Sequence, residues 1–326
     1  MKKKVIQIKT REEVKFSTLA KGEIHHFHMH VSGNAFGTPW KIPVIAAIGK
    51  KSGPTLGITA ALHGNELNGI FTIHKLFNSI DPKTLCGNLI AVPVVNVPGF
   101  LNKKREFSDG KDLNRYMPGR AKGTSSEMYN HFFTEKIVRN FDYLLDLHTA
   151  SFGRINSLYI RADLNNPVCK TLAYLQNPQI IVQKYDDEGT LRAWANAENI
   201  PCITIEIGNP HTRQHELVDD TLHGLLNTLR YYKMIPGVVK DYMETSVVCE
   251  SSSWIYSYTG GIIEVFPALT ERVQKDQLIA RVHDVFGNLK QKIFADRDGI
   301  VIGKNIDPVC EAGSRILHLG NYKDKA

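Results

Sequence analysis

His63-Gly64-Asn65-Glu66 closes one apolar run of the chain, and Leu145-Asp146-Leu147-His148-Thr149 closes another. Two imidazoles and a carboxylate make the three-ligand set of a catalytic zinc site, with a fourth position left for water. An H-x-x-E pair alone is a weak signal in a chain with 13 His. Two more segments strengthen it, Asp112-Leu113-Asn114-Arg115 and Ile203-Thr204-Ile205-Glu206-Ile207-Gly208. The second sets a carboxylate inside an apolar strand, where an unpaired charge is expensive. Together these residue types point to metal-assisted hydrolysis. His63, Glu66 and His148 are the candidate metal ligands. Glu206 is the candidate general base, taking a proton from water and returning it to the leaving group. Burial pushes such a carboxylate pKa up, and a nearby cation pushes it down. Asn114 and Arg115 form a candidate substrate clamp, because Arg offers a planar fork to a carboxylate and Asn adds a donor beside it. Asp112 is available to orient a ligand His or the Arg, and Asp146 is a candidate outer acceptor for His148.

In this order, His-x-x-Glu, Asp-Leu-Asn-Arg, Asp-Leu-His and Ile-Glu-Ile-Gly resemble the succinylglutamate desuccinylase/aspartoacylase family, zinc deacylases related to the metallocarboxypeptidases. The resemblance runs from about Thr55 to Leu319. It implies one Zn2+ per chain and hydrolysis of an amide, less often an ester, joining an acyl group to a small amino acid or amine. In the related enzymes the Asn-Arg pair holds the substrate carboxylate, which would be the part of Asn114 and Arg115. A further Arg supports the oxyanion at the attacked carbonyl. Arg105 is the choice by position upstream of Asp112, with Lys104, or neither residue, as the alternatives. Arg161 and Arg192 are open to reading either end of the substrate, and none of the twelve Tyr is singled out. A carboxypeptidase acting on short peptides would use the same ligands and clamp. A non-catalytic zinc-binding protein would need the ligands alone.

These groups need elements to hold them. Thr55–Leu62, Asn88–Asn96, Tyr143–Leu147 and Ile200–Ile207 read as strands. Glu66–Ser79, Met128–Val138, Asn166–Gln176, Thr190–Glu198 and His215–Lys233 carry apolar residues at helical spacing. The alternation predicts an α/β fold, a mixed sheet covered by helices as in zinc carboxypeptidases. Upstream, His25-His26-Phe27-His28-Met29-His30 alternates and reads as a half-exposed strand more readily than as a metal tract. After Pro236-Gly237 the pattern changes to short β runs between Gly, Asp and Asn turns. The chain thus divides into a hydrolase domain, 1–240, and a small all-β domain, 241–326. The latter resembles the barrel-sandwich fold of lipoyl and biotinyl carriers, which the same deacylase family has at this end. The turn at Val285-Phe286-Gly287-Asn288 lacks the carrier lysine, with Lys290 following it.

Bulk composition narrows the rest. Forty basic and 33 acidic residues give a net charge of +7. No dense basic block follows the first four residues, so a nucleic-acid face is poorly supported and a small anionic N-acylated substrate fits better. Five scattered Cys with no C-x-x-C pair argue against disulfides or a Cys-ligated metal and for a reducing, cytoplasmic setting. Met1-Lys2-Lys3-Lys4 is followed by no apolar segment of a signal peptide. No apolar run reaches the ~20 residues of a membrane span. A homo-oligomer is compatible with the sequence, with a dimer as the default.

Overall fold

Residues 9–185, 188–240 and 246–322 are described by the computed structural model. The Met1-Lys2-Lys3-Lys4 start and the division expected at 241 lie outside the described residues. β1 (Lys9–Arg11) lies parallel to β2 (Glu23–Gly33), which pairs antiparallel with β3 (Pro39–Ile48). In β2 the residues Phe27, Met29 and Val31 are buried, and His26, His28 and His30 occupy the other face. Among the described residues the histidine tract forms no metal-holding group.

An α/β alternation follows: β4 (Lys51–Ala60), α1 (Asn68–Ser79), β5 (Cys86–Val92), α2 (Val97–Asn102), α3 (Ser125–Lys136) and β6 (Tyr143–His148). It continues through β7 (Arg154–Asn156), β8 (Leu158–Ala162), α4 (Pro167–Leu175), β9 (Ile180–Gln183), α5 (Leu191–Ala197), β10 (Cys202–Ile207) and α6 (His215–Tyr231). The strands β5, β4, β6 and β10 are parallel neighbours, and β8 runs antiparallel to β10. Central parallel strands are buried on both sides, hence their near-continuous apolar runs. One face, Leu56, Ile58, Leu145 and Ile203, packs on α1, α4 and α6 through Ile73, Leu76, Leu172 and Leu225. The other face packs on α3 and α5 through Phe133 and Trp194. Each fully buried Ile or Leu here contributes roughly 1.5–3 kcal/mol. No helix among the described residues is long and apolar enough to cross a membrane.

The C-terminal strands are β11 (Val247–Tyr256), β12 (Gly261–Val265), β13 (Arg272–Val273), β14 (Leu278–His283), β15 (Leu289–Phe294), β16 (Gly299–Asn305), β17 (Val309–Cys310) and β18 (Arg315–Tyr322). They form two sheets around their own core of Ile263, Ile279, Val282, Ile293, Val301 and Leu317. One is a separate four-stranded antiparallel sheet, β15-β14-β12-β17. The other is continuous with the main sheet. β11 pairs parallel with β9, so β11, β18, β16 and β13 extend the main sheet to 14 strands. A small cluster fills the junction, with Tyr159, Ile180 and Val182 meeting Cys249, Ile300 and Ile302.

Candidate active site

Parallel pairing brings distant motifs to one edge. His63 follows β4, His148 ends β6, and Glu206 stands directly across from His148 on β10. The turn carrying His63 and Glu66 must pass close to α2, and Gly64 permits it. A Cβ there would come within 2.0 Å of the Gly99 carbonyl carbon. His63, Glu66 and His148 are all buried. His63 Nδ1 lies 2.8 Å from Glu66 Oε1. His148 Nδ1 lies 3.2 Å from His63 Nδ1 and 3.0 Å from Glu66 Oε2.

The far side of each ring is held by a carboxylate. His63 Nε2 donates to Asp112 Oδ1 at 3.0 Å, and His148 Nε2 donates to Asp146 Oδ2 at 2.7 Å. Asp146 is itself fixed by Thr59 Oγ1, which donates to its Oδ1 at 2.6 Å. This fixes the tautomer that leaves both Nδ1 lone pairs facing inward, the outer arrangement of metal-bound histidines. Burial opposes charge on His148, but Asp146 and Glu66 raise it well above the ordinary imidazole range. Burial also works to raise Glu66, but His63 and His148 hold its carboxyl well below the usual range. The centre therefore favours positive charge. Ligands of a tetrahedral zinc at about 2.0–2.2 Å stand about 3.3–3.6 Å apart. The observed spacings, 2.8, 3.0 and 3.2 Å, are shorter than that but gather the three donors around one point, and the two-imidazole, one-carboxylate donor set fits a divalent metal.

Arg105 packs beside this centre. It donates to Asp112 Oδ2 from Nε (3.2 Å) and Nη2 (2.8 Å), and from Nη1 to Glu66 Oε1 (3.1 Å) and Ser151 Oγ (2.6 Å). Asp112 thus orients the ligand His63 and Arg105, whereas the clamp Arg115 donates from Nη1 to the Asn114 carbonyl at 3.0 Å. Lys104 does not line the cavity, whereas Arg105 does. Asn114 Oδ1 accepts from the Leu191 N–H at 2.8 Å, tying the clamp loop to the start of α5. Arg192 on α5 donates to the carbonyls of Lys184 and Tyr185.

Glu206 is mostly buried. Asn156 Nδ2 donates to its Oε2 at 3.3 Å, and Arg161 Nε donates to its Oε1 at 3.4 Å. Burial works against charge on Arg161, but Tyr159 and Glu206 hold it above the ordinary guanidinium range. All seven residues singled out as ligands, base and clamp or oxyanion support line one cavity of about 260 Å³. The cavity also takes Asn156, Tyr159, Arg154, Trp254 and Arg315, which motif reading missed. Tyr159 is the tyrosine on its wall, while Tyr256 and Tyr258 are not. Burial raises the Tyr159 hydroxyl well above its ordinary pKa, so it remains protonated.

A buried His-Glu-His group and a facing carboxylate, set at the carboxyl edge of a helix-covered mixed sheet, define a metal-site amidohydrolase. The chain belongs to the succinylglutamate desuccinylase/aspartoacylase family, whose catalytic-domain model matches residues 52–232, and it is a deacylase of an N-acylated amino compound. It is 26% identical over 288 residues to the N-alpha-acetyl-L-2,4-diaminobutyric acid deacetylase of Halomonas elongata, covering 84% of each chain. The product-bound ectoine utilization protein EutE (DoeB) of Ruegeria pomeroyi shares the fold, with a TM-score of 0.84 at 22% identity over 93% of this chain and 98% of that one. A succinylglutamate desuccinylase/aspartoacylase structure from Rhodobacter sphaeroides also gives 0.84, at 23% identity over 96% and 98%.

Proposed function

We propose that the protein is a zinc-dependent deacylase that hydrolyses the amide of a small N-acyl amino acid. The observation that carries this reading is the buried His63–Glu66–His148 group with Glu206 one strand away in the same cavity. His63, Glu66 and His148 hold the ion, and Asp112 and Asp146 orient the two rings. Bound there, zinc would supply Lewis-acid activation of a water and polarisation of the acyl carbonyl. Glu206 takes a proton from the attacking water and returns it to the leaving amine. Arg105 has five N–H donors, four of them used in the contacts above, and offers the remaining one to the oxyanion. Asn114 and Arg115 hold the substrate carboxylate. Asn156 and Arg161 keep the Glu206 carboxylate in place.

In this reading residues 1–240 carry the hydrolytic machinery and 241–326 supply one wall of the cavity. Among the described residues the cysteines form no disulfide, which supports a reducing, cytoplasmic setting. A cavity of about 260 Å³ with Trp254 and Arg315 on its wall favours small substrates over peptides. The test is metal-dependent release of free amine from a panel of N-acyl amino acids and dipeptides. Activity lost to a chelator, restored by zinc and absent in Glu206→Gln supports the reading. Preferential cleavage of peptides would replace it with a carboxypeptidase, and a zinc-loaded protein inert on every substrate would sink it.

A further inference from the structure

Ser151 lies in the short loop that leaves β6 just after His148. Three successive residues of this loop each hold a different part of the site. The Thr149 N–H donates to Glu66 Oε2 at 3.0 Å. The Ala150 N–H donates at 2.8 Å to the carbonyl of Gly208, which follows the strand bearing Glu206. Ser151 Oγ accepts from Arg105 Nη1 at 2.6 Å. The far end of the loop is pinned too. The Arg154 N–H donates to the Ser151 carbonyl at 3.1 Å, and the Gly153 carbonyl accepts from the N–H groups of Ile306 and Asp307, just after β16. The Ser151 hydroxyl is therefore carried on a backbone with little freedom.

The Arg105 guanidinium rests on three side chains. Asp112 accepts from Nε and Nη2, and Glu66 and Ser151 take the two protons of Nη1. Of the three, only Ser151 is uncharged. A fork gripped along one edge by Asp112 can still tilt, and a contact on Nη1 fixes its plane. A hydroxyl supplies that contact without cancelling positive charge, as a further carboxylate would. Burial opposes charge on Arg105, but Glu66 and Asp112 hold it above the ordinary guanidinium range. The one N–H left over is the second proton of Nη2, on the side next to Nη1. A donor preset toward a developing oxyanion needs no reorganisation during the reaction. Ser151 and Arg105 both line the cavity of the His-Glu-His group.

We propose that Ser151 is a positioning residue for the hydrolysis. Its hydroxyl sets the plane of Arg105 so that the remaining Nη2 proton faces the oxyanion, and the loop that carries it ties this setting to Glu66 and to the end of β10. This deepens the deacylase reading and rests on it. Ser151 acts through Arg105 and has no effect of its own on substrate affinity.

Turnover on the best N-acyl amino acid of the panel tests this first. Ser151→Ala should lower kcat at least about tenfold, with KM and zinc content unchanged. Ser151→Thr, which keeps the hydroxyl, should recover most of the loss. Ser151→Asp, which grips Arg105 but cancels its charge, should not. In an Arg105→Ala background, Ser151→Ala should cost nothing further. Full activity in Ser151→Ala, or an equal loss with and without Arg105, overturns the proposal. If wild type releases no amine from any substrate, the deacylase reading fails and binding decides the role of Ser151. Calorimetry on zinc-loaded Glu206→Gln would then compare N-acetylalanine with the methylphosphonamidate of alanine, whose tetrahedral oxygens mimic the oxyanion. The phosphonamidate should bind at least about tenfold tighter. Ser151→Ala and Arg105→Ala should each reduce that ratio, and the double variant no further than Arg105→Ala alone. A ratio untouched by Ser151→Ala overturns the proposal.

Discussion

The cavity has two walls of different character. On the edge built by β4, β6 and β10, every charged group has an assigned partner: His63 with Asp112, His148 with Asp146, Arg105 with Glu66 and Asp112, Glu206 with Arg161. On the wall built by β7, β11 and β18, Arg154 and Arg315 both lie against the Trp254 indole and, among the described residues, form no ion pair. Paired charge fixes geometry, because each partner restricts the other's rotamers. Unpaired charge in a cavity is a standing affinity for something that arrives from solution. The first wall carries the groups that the proposed reaction uses, and the second leaves two cations without a fixed partner among the described residues.

The most drastic way to break the first wall is to empty its centre. Chelation should reduce amine release to background, and zinc should restore it. His148→Ala should remain inactive after the same zinc addition, and metal analysis should find it depleted. Next comes Glu206→Gln. It should lower kcat by about 10²–10⁴-fold while metal content stays at one per chain. Loss of metal along with activity would mean that Glu206 is a ligand and not the base. A smaller effect is expected one step outward. Asp146→Asn leaves His148 with a neutral neighbour, and competition with a chelator should show metal affinity weaker by ~10–100-fold.

The smallest effect sharpens the contrast from outside the site. Glu127 accepts hydrogen bonds from the N–H and hydroxyl of Thr124 at the start of α3. These bonds, with help from Arg120, hold its carboxyl down to about 2 from an ordinary 4.5. A folded-state pKa below the unfolded one contributes stability above 4.5 that is lost as pH falls toward 2. The urea midpoint of wild type should therefore exceed that of Glu127→Gln at neutral pH, and the two should converge in acid. Amine release at neutral pH should not distinguish them.

The first wall was legible from sequence and the second was not, for a physical reason. Parallel strands end at a common edge, so a polar residue closing an apolar run announces itself, as His63, His148 and Glu206 do. The helices over 68–79 and 215–231 were equally legible because their apolar faces repeat at 3.6 residues. Arg154, Trp254 and Arg315 lie far apart in the chain and interrupt no pattern. Only the pairing of β7 with β16 and of β11 with β18 brings their strands together. Strand partners are equally hidden at the junction with the last strands. Composition marks a change near 241, but it cannot reveal that β11 finds β9.

That β9–β11 junction bears on how the protein could be handled as a reagent. A chain cut after 240 would keep every ligand, the base and the clamp, yet β9 would be left with an open ladder along one side. Tyr159, Ile180 and Val182 would lose the cover of Cys249, Ile300 and Ile302. An open strand edge beside bare apolar surface invites other copies to stack on it. Such a trimmed chain should gather in insoluble material, so the hydrolytic half is best produced with its β half attached.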